Sequence, residues 1–120
     1  MDLLEVFKDS DDLMEFPAGS VIAGEGEEGA HMYVVMSGEV AVSINNRELA
    51  TACPGEIVGE MALINSNIRS ATLTAKTACR LAYIDQASFD ALLRHVPDFS
   101  MYVMKVLAER LKHAYEVIGT

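Results

Sequence analysis

Short apolar runs, several of them alternating with polar positions, fill the first two thirds of the chain, and glycine, proline and asparagine cut them at close intervals. Residues 14–16, 21–23, 31–36, 40–44, 47–51, 57–58, 71–75 and 79–84 read as strands. The cuts are turn chemistry. Pro17-Ala18-Gly19 pairs a fixed φ with a residue free to go positive, and Asn45-Asn46 tolerates positive φ at both positions. Gly24–Gly29 and Ser37-Gly38-Glu39 are expected to be hairpin turns, and Cys53-Pro54-Gly55-Glu56 and Lys76-Thr77 further turns. Ahead of the strands, Leu3, Leu4, Val6 and Phe7 predict a short amphipathic helix ending near Asp9-Ser10. After them the period changes. Asp85 is a candidate N-cap for a helix over 86–95 with Phe89, Leu92 and Leu93 inward, and Pro97-Asp98 starts a second helix reaching about Ile118. The pattern predicts a mainly β fold with flanking helices: an antiparallel jelly-roll barrel over about 13–84, a short N-terminal helix and two C-terminal helices over about 86–118.

The last helix is apolar on more than one face. Met104, Leu107, Leu111, Ala114 and Ile118 repeat at three-four spacing, while Phe99, Val103, Val106 and Leu107 cover a neighbouring stripe. A helix lying on one barrel needs only one stripe. The second points to a homodimer through this C-terminal helix, against the plainer reading of packing within one chain.

The chemistry gathers between two strands, in Gly59-Glu60-Met61-Ala62-Leu63-Ile64-Asn65-Ser66-Asn67-Ile68-Arg69-Ser70-Ala71. Gly59 allows a tight backbone turn. Residues 60–64 make barely one helical turn, whose first N–H groups have no intrahelical acceptor and can face an anion. Arg69 adds a fixed positive charge with forked donors suited to phosphate oxygens. Glu60 adds an acceptor. Such a set suits a ligand with both a phosphate and a hydroxyl.

Gly59-Glu60-x-Ala62-Leu63, five further residues, then Arg69-Ser70-Ala71 resembles the phosphate-binding cassette of cyclic-nucleotide-binding domains. The spacing is similar to that of the cAMP-dependent protein kinase regulatory subunits, with Ile68 standing where that family usually has proline. The resemblance covers nearly all of the chain, as a single such domain over 1–120. It implies that Arg69 holds the cyclic phosphate, that Glu60 accepts from the ribose 2′-hydroxyl, and that N–H groups near Met61 and Ala62, with Ser70, complete the phosphate shell. Gly59 and Ala71 bound the site. It implies base packing on apolar barrel side chains under a lid from the last helix, for which Arg110, His113 and Tyr115 are the candidates. Ser70 beside Arg69, with no threonine there, leans toward cAMP, with cGMP the alternative. The expected activity is that of a regulatory sensor, not an enzyme, which moves its C-terminal helices on binding and acts on an effector protein that the sequence does not name. A ligand-free scaffold of the same fold is the rival.

Composition narrows the rest. At 120 residues, 51% hydrophobic and 22% charged, the chain is one domain by length and can pack a core. Its net charge of −9 argues against nucleic acid and against an anionic membrane surface. No run approaches the roughly 18 apolar residues that cross a bilayer. With no secretory signal in the acidic, amphipathic first residues, the expectation is a cytoplasmic chain. Cys53 and Cys79 are too few for a disulfide framework and read as half-buried strand thiols. Gly24-Glu25-Gly26-Glu27-Glu28-Gly29 matches a dinucleotide fingerprint in letters only, because a strand follows it and its three glutamates would repel a pyrophosphate. His31, His95 and His113 are scattered, so neither a metal cofactor nor a cupin-like barrel enzyme with its His-x-His is expected. No serine sits in a nucleophile elbow and no carboxylate pair has an acid/base setting.

Overall fold

The computed structural model describes residues 1–65 and 67–119, with backbone alone at 117 and 118. Ser66 in the expected polar loop, the side chain of Ile118 at the end of the expected stripe, and Thr120 lie outside the described residues. The chain divides into two compact units, Asp2–Gln86 and the residues from Ala87 on, the latter grouped with Met1.

In the first unit, α1 (Leu3–Phe7) is followed by β1 (Leu13–Phe16), β2 (Val21–Ala23), β3 (His31–Ser37), β4 (Val40–Ile44), β5 (Arg47–Ala52), β6 (Ile57–Val58), α2 (Glu60–Ile64), β7 (Thr72–Ala75) and β8 (Cys79–Asp85). Two four-stranded antiparallel sheets form, in the orders β1-β8-β3-β6 and β2-β7-β4-β5. Successive strands change sheet at every step except β4 to β5, which is jelly-roll order. Two expectations are corrected. Among the described residues no ladder joins the two sheets, so the strands form two opposed sheets and not a closed barrel. Gly24–Gly29 and residues 37–39 are crossings between sheets and not hairpin turns, because β2 and β3, and likewise β3 and β4, have no pairing with each other. The Asn45-Asn46 turn does close a hairpin, with φ of 51° and 63°, the left-handed pair that matches strand twist.

Side-chain alternation gives each sheet an inner face. Tyr33 and Val35 of β3, Val58 of β6, and Cys79 and Leu81 of β8 meet Val40 of β4, Ala52 of β5, and Leu73 and Ala75 of β7 in one core between the sheets. Cys79 is buried there, and that burial raises its thiol pKa above the ordinary value. Cys53, expected to be half-buried on a strand, is instead exposed in the turn after β5. At the start of the chain, the Asp2 side chain accepts from Glu5 N–H (3.3 Å) and caps α1, whose Leu3 is buried and which packs against β3.

The second unit holds α3 (Gln86–His95) from its second residue on, and α4 (Pro97–Ile118). Asp85 stands directly before α3, where an N-cap stands, and Pro97 opens α4, where a missing N–H costs nothing. Phe89 and Phe99 meet edge to face at 6.0 Å between ring centres. Ser100 Oγ donates to the Leu93 carbonyl at 3.0 Å, tying the two helices at their junction. Phe99 and Val103 are buried, while Met101, Met104, Leu111 and Tyr115 are exposed.

Candidate functional site

Gly59 begins the site. It adopts φ 80° and ψ 5°, a left-handed conformation open to glycine, and turns β6 directly into α2. The single turn of α2 packs on β3 and buries Glu60, Ala62 and Leu63 while leaving Met61 exposed. Glu60 is fully buried, so a carboxylate is held inside the unit at the start of this turn. A polar loop then leads to Ile68, Arg69, Ser70 and Ala71, ahead of β7.

Arg69 lies at the centre. Its side chain is almost entirely buried, at 6% exposure for the residue. Nη1 donates to the Gly59 carbonyl at 3.2 Å, which ties the two ends of the segment together. The guanidinium carbon lies 5.5 Å from the centre of the Tyr33 ring, within cation–π range. The ion pairs Lys8–Glu5, Lys76–Glu48 and Arg80–Glu15 lie elsewhere, and Arg69 belongs to none of them. A buried guanidinium without a carboxylate bears a desolvation cost that an anion would relieve. A cavity of about 180 Å³ opens beside it, lined by Met61, Asn65, Ile68, Arg69 and Ser70. That is below the roughly 300–1,000 Å³ of pockets that enclose whole drug-sized ligands, and it suits a polar fragment of one.

The Gly24–Gly29 crossing holds the segment from the other side. Arg69 N–H donates to the Glu27 carbonyl at 2.8 Å, Gly29 N–H to the Asn67 carbonyl at 2.8 Å, and Gly26 N–H to the Arg69 carbonyl at 2.9 Å. Glu28 and Ile68 face each other as an antiparallel pair between these bonds. The ladder bonds fall on Asn67 and Arg69, the neighbours of Ile68, so the loop is pinned without a proline at that position. Gly29 is not left-handed; the need for glycine there is space. A Cβ at Gly29 would lie 2.7 Å from the Arg69 guanidinium carbon, and one at Gly59 would lie 2.6 Å from Nη1.

Of the residues singled out in the sequence, Gly59, Met61, Arg69 and Ser70 come together at the cavity or by direct hydrogen bond, and Glu60 and Ala62 are buried in the adjoining turn. Ala71 follows, half-buried, before β7. Arg110, His113 and Tyr115 are exposed on α4, in the other compact unit. Sequence reasoning missed Gly29 and Tyr33. The spacing of glycines in the 24–29 loop was the available signal, and it reports close approach as well as turn freedom. Among the described residues no group of three or more His, Cys, Asp or Glu side chains is placed to hold a metal ion, and no helix is long and apolar enough to cross a membrane.

The unit is thus an antiparallel jelly roll with a one-turn helix and a buried arginine set between β6 and β7. The family model for the cyclic nucleotide-binding domain matches residues 13–96, and the chain belongs to that family. It is 32% identical to the cAMP-activated global transcriptional regulator CRP of Salmonella typhimurium over 97% of its own length, and it spans 58% of that regulator. A solved structure described as Sp-2Cl-cAMPS bound to PKAR CBD2 superposes with a TM-score of 0.76 at 27% identity, covering 95% of this chain and 84% of that one. Another, from work on a cyclic-GMP-dependent signalling pathway in bacterial phytopathogenesis, superposes with a TM-score of 0.70 at 27% identity, covering 82% of each chain.

Proposed function

We propose that the chain binds a cyclic nucleotide at residues 59–71, cAMP in preference to cGMP, and serves as a regulatory sensor without catalysis of its own. One observation carries the reading: Arg69 is buried at a small cavity and has no ion pair among the described residues. In this reading Arg69 takes the cyclic phosphate, assisted by Ser70 and by the first N–H groups of α2 at Met61 and Ala62, with Gly59 and Ala71 bounding the segment. Glu60 accepts from the ribose 2′-hydroxyl. The ladder to the 24–29 crossing supports a closed segment despite Ile68, which weakens the case for a ligand-free scaffold. The preference for cAMP rests on Ser70 and on the cAMP named for two of the relatives, against the cyclic GMP named for the third.

The output is a change in the second unit. Arg110, His113 and Tyr115 are the candidates from which a lid over the base comes, and the exposed apolar positions of α4 meet a second copy of the chain or an effector protein, in the cytoplasm. A ligand shifts such an equilibrium only by its differential affinity for the two arrangements. Calorimetric titration of the whole chain with cAMP, cGMP and linear AMP tests the reading. Saturable binding of a cyclic nucleotide, tightest for cAMP and weak for AMP, is the expected result. No heat with any of the three at millimolar concentration overturns it.

A further inference from the structure

We infer that Tyr33 is a positioning residue for Arg69, and that its aromatic face does the work usually given to a carboxylate: it holds a buried guanidinium in place while leaving the positive charge unspent for the ligand. The inference rests on the proposed anion site at Arg69 and deepens it. Four observations meet here. Tyr33 is fixed in the middle of β3, paired with Val58 on one side and Tyr83 on the other, and its side chain belongs to the inter-sheet core. The Arg69 guanidinium carbon stands over that ring at 5.5 Å. The Gly59 carbonyl is the one hydrogen-bond acceptor shown for the side chain. Gly29 and Gly59 leave the space the guanidinium fills, since a Cβ at either would collide with it.

The physical consequence separates this arrangement from an ion pair. A carboxylate beside Arg69 would fix its geometry but would neutralise its charge and compete with a phosphate. A ring quadrupole attracts the cation from one face without carrying net charge, and it takes up none of the forked N–H donors of the guanidinium. A backbone carbonyl at Gly59 adds a second anchor that is likewise neutral. Among the described residues the contacts shown for the Arg69 side chain are thus neutral, and the incoming anion supplies the counter-charge. Pre-organisation of this kind raises affinity by removing the ordering cost at the moment of binding.

The test uses the whole chain with cAMP as probe, and Tyr33→Leu, which keeps apolar volume, beside Tyr33→Phe, which keeps the ring. Thermal melts confirm folding of each. Tyr33→Leu is expected to weaken cAMP binding about 5- to 30-fold, the range of a desolvated cation–π contact, and Tyr33→Phe to restore it to within about 2-fold. A second readout needs no variant: in the free wild-type chain the Arg69 Nε–H proton resonance should be shifted upfield by the ring current and exchange slowly. If the wild type binds and Tyr33→Leu binds equally well, or Tyr33→Phe fails as badly as Tyr33→Leu, or the Arg69 resonance sits at the free-arginine position, the positioning role is overturned while the nucleotide reading stands. If the wild type binds no cyclic nucleotide, both fall together.

Discussion

Two arginines sit on the same β unit in opposite circumstances. Arg80, on β8, crosses to Glu15 on β1 with an Nη2 to Oε1 distance of 2.9 Å, and the two side chains are 51% and 74% exposed. Arg69 is 6% exposed, and its shown contacts are a carbonyl and an aromatic ring. Water solvates the first whether or not Glu15 is there, so the pair contributes little to folding. The second has lost its water and gained no full counter-charge. The difference teaches where a fold accepts a local cost for a site: a group placed for a ligand is one whose removal stabilises the empty protein and abolishes binding. The surrounding charge makes the contrast sharper. The net −9 belongs wholly to the β unit, because from Ala87 on Asp90, Asp98, Glu109 and Glu116 balance Arg94, Lys105, Arg110 and Lys112. On the proposed function, an anionic ligand has to reach one buried cation against the field of the unit that holds it.

The largest expected effect is that of Arg69→Met on binding. Removing the charge while keeping length should cost about 2–5 kcal/mol in cyclic-nucleotide affinity, the loss seen when one partner of a buried charge pair is truncated. The same substitution should raise the stability of the ligand-free chain by about 1–2 kcal/mol in denaturant melts, as burial of an uncompensated charge is relieved. A destabilised free Arg69→Met chain would contradict the comparison. Next comes Gly59→Ala, which forces a side chain into left-handed φ and against Nη1. It should lower stability by about 1–3 kcal/mol and weaken binding with it.

How far the sequence already told this story depends on the range of the interaction. The spacing of Gly59-Glu60 to Arg69 is local, and it located the segment whose residues meet at the cavity. The Asn45-Asn46 turn and the α4 stripe that holds Phe99 and Val103 were legible for the same reason, since each pattern lies within one element, though not which of the two stripes is buried. The exchange of strands between sheets was not legible, because a glycine turn looks the same whether the next strand pairs back or crosses over. Nor was the role of the 24–29 loop, which grips residues 67–69 some forty positions later, or that of Tyr33, which lies under Arg69 through sheet packing. Cys53 was misjudged although its turn had been read, because a turn position does not say whether the side chain faces the core or water.

Smaller effects complete the comparison. Arg80→Met should lower stability by only about 0.2–1 kcal/mol and leave nucleotide affinity within about 2-fold of wild type, as checked by melts and titration together. The smallest effect is on rate. Raising ionic strength screens the repulsion between the acidic β unit and the ligand, so stopped-flow association of a fluorescent cyclic nucleotide should quicken by a modest factor, on the order of 2-fold, between low and physiological salt. A steep fall in association rate with salt would mean that a positive surface steers the ligand.

The most direct test is a side-by-side calorimetric titration of wild type, Arg69→Ala and Arg80→Ala with cAMP. The account predicts that Arg80→Ala matches the wild type and that Arg69→Ala loses at least about 30-fold in affinity. Equal binding by all three chains, or equal loss in both variants, would contradict the claim that the buried, carboxylate-free arginine is the site.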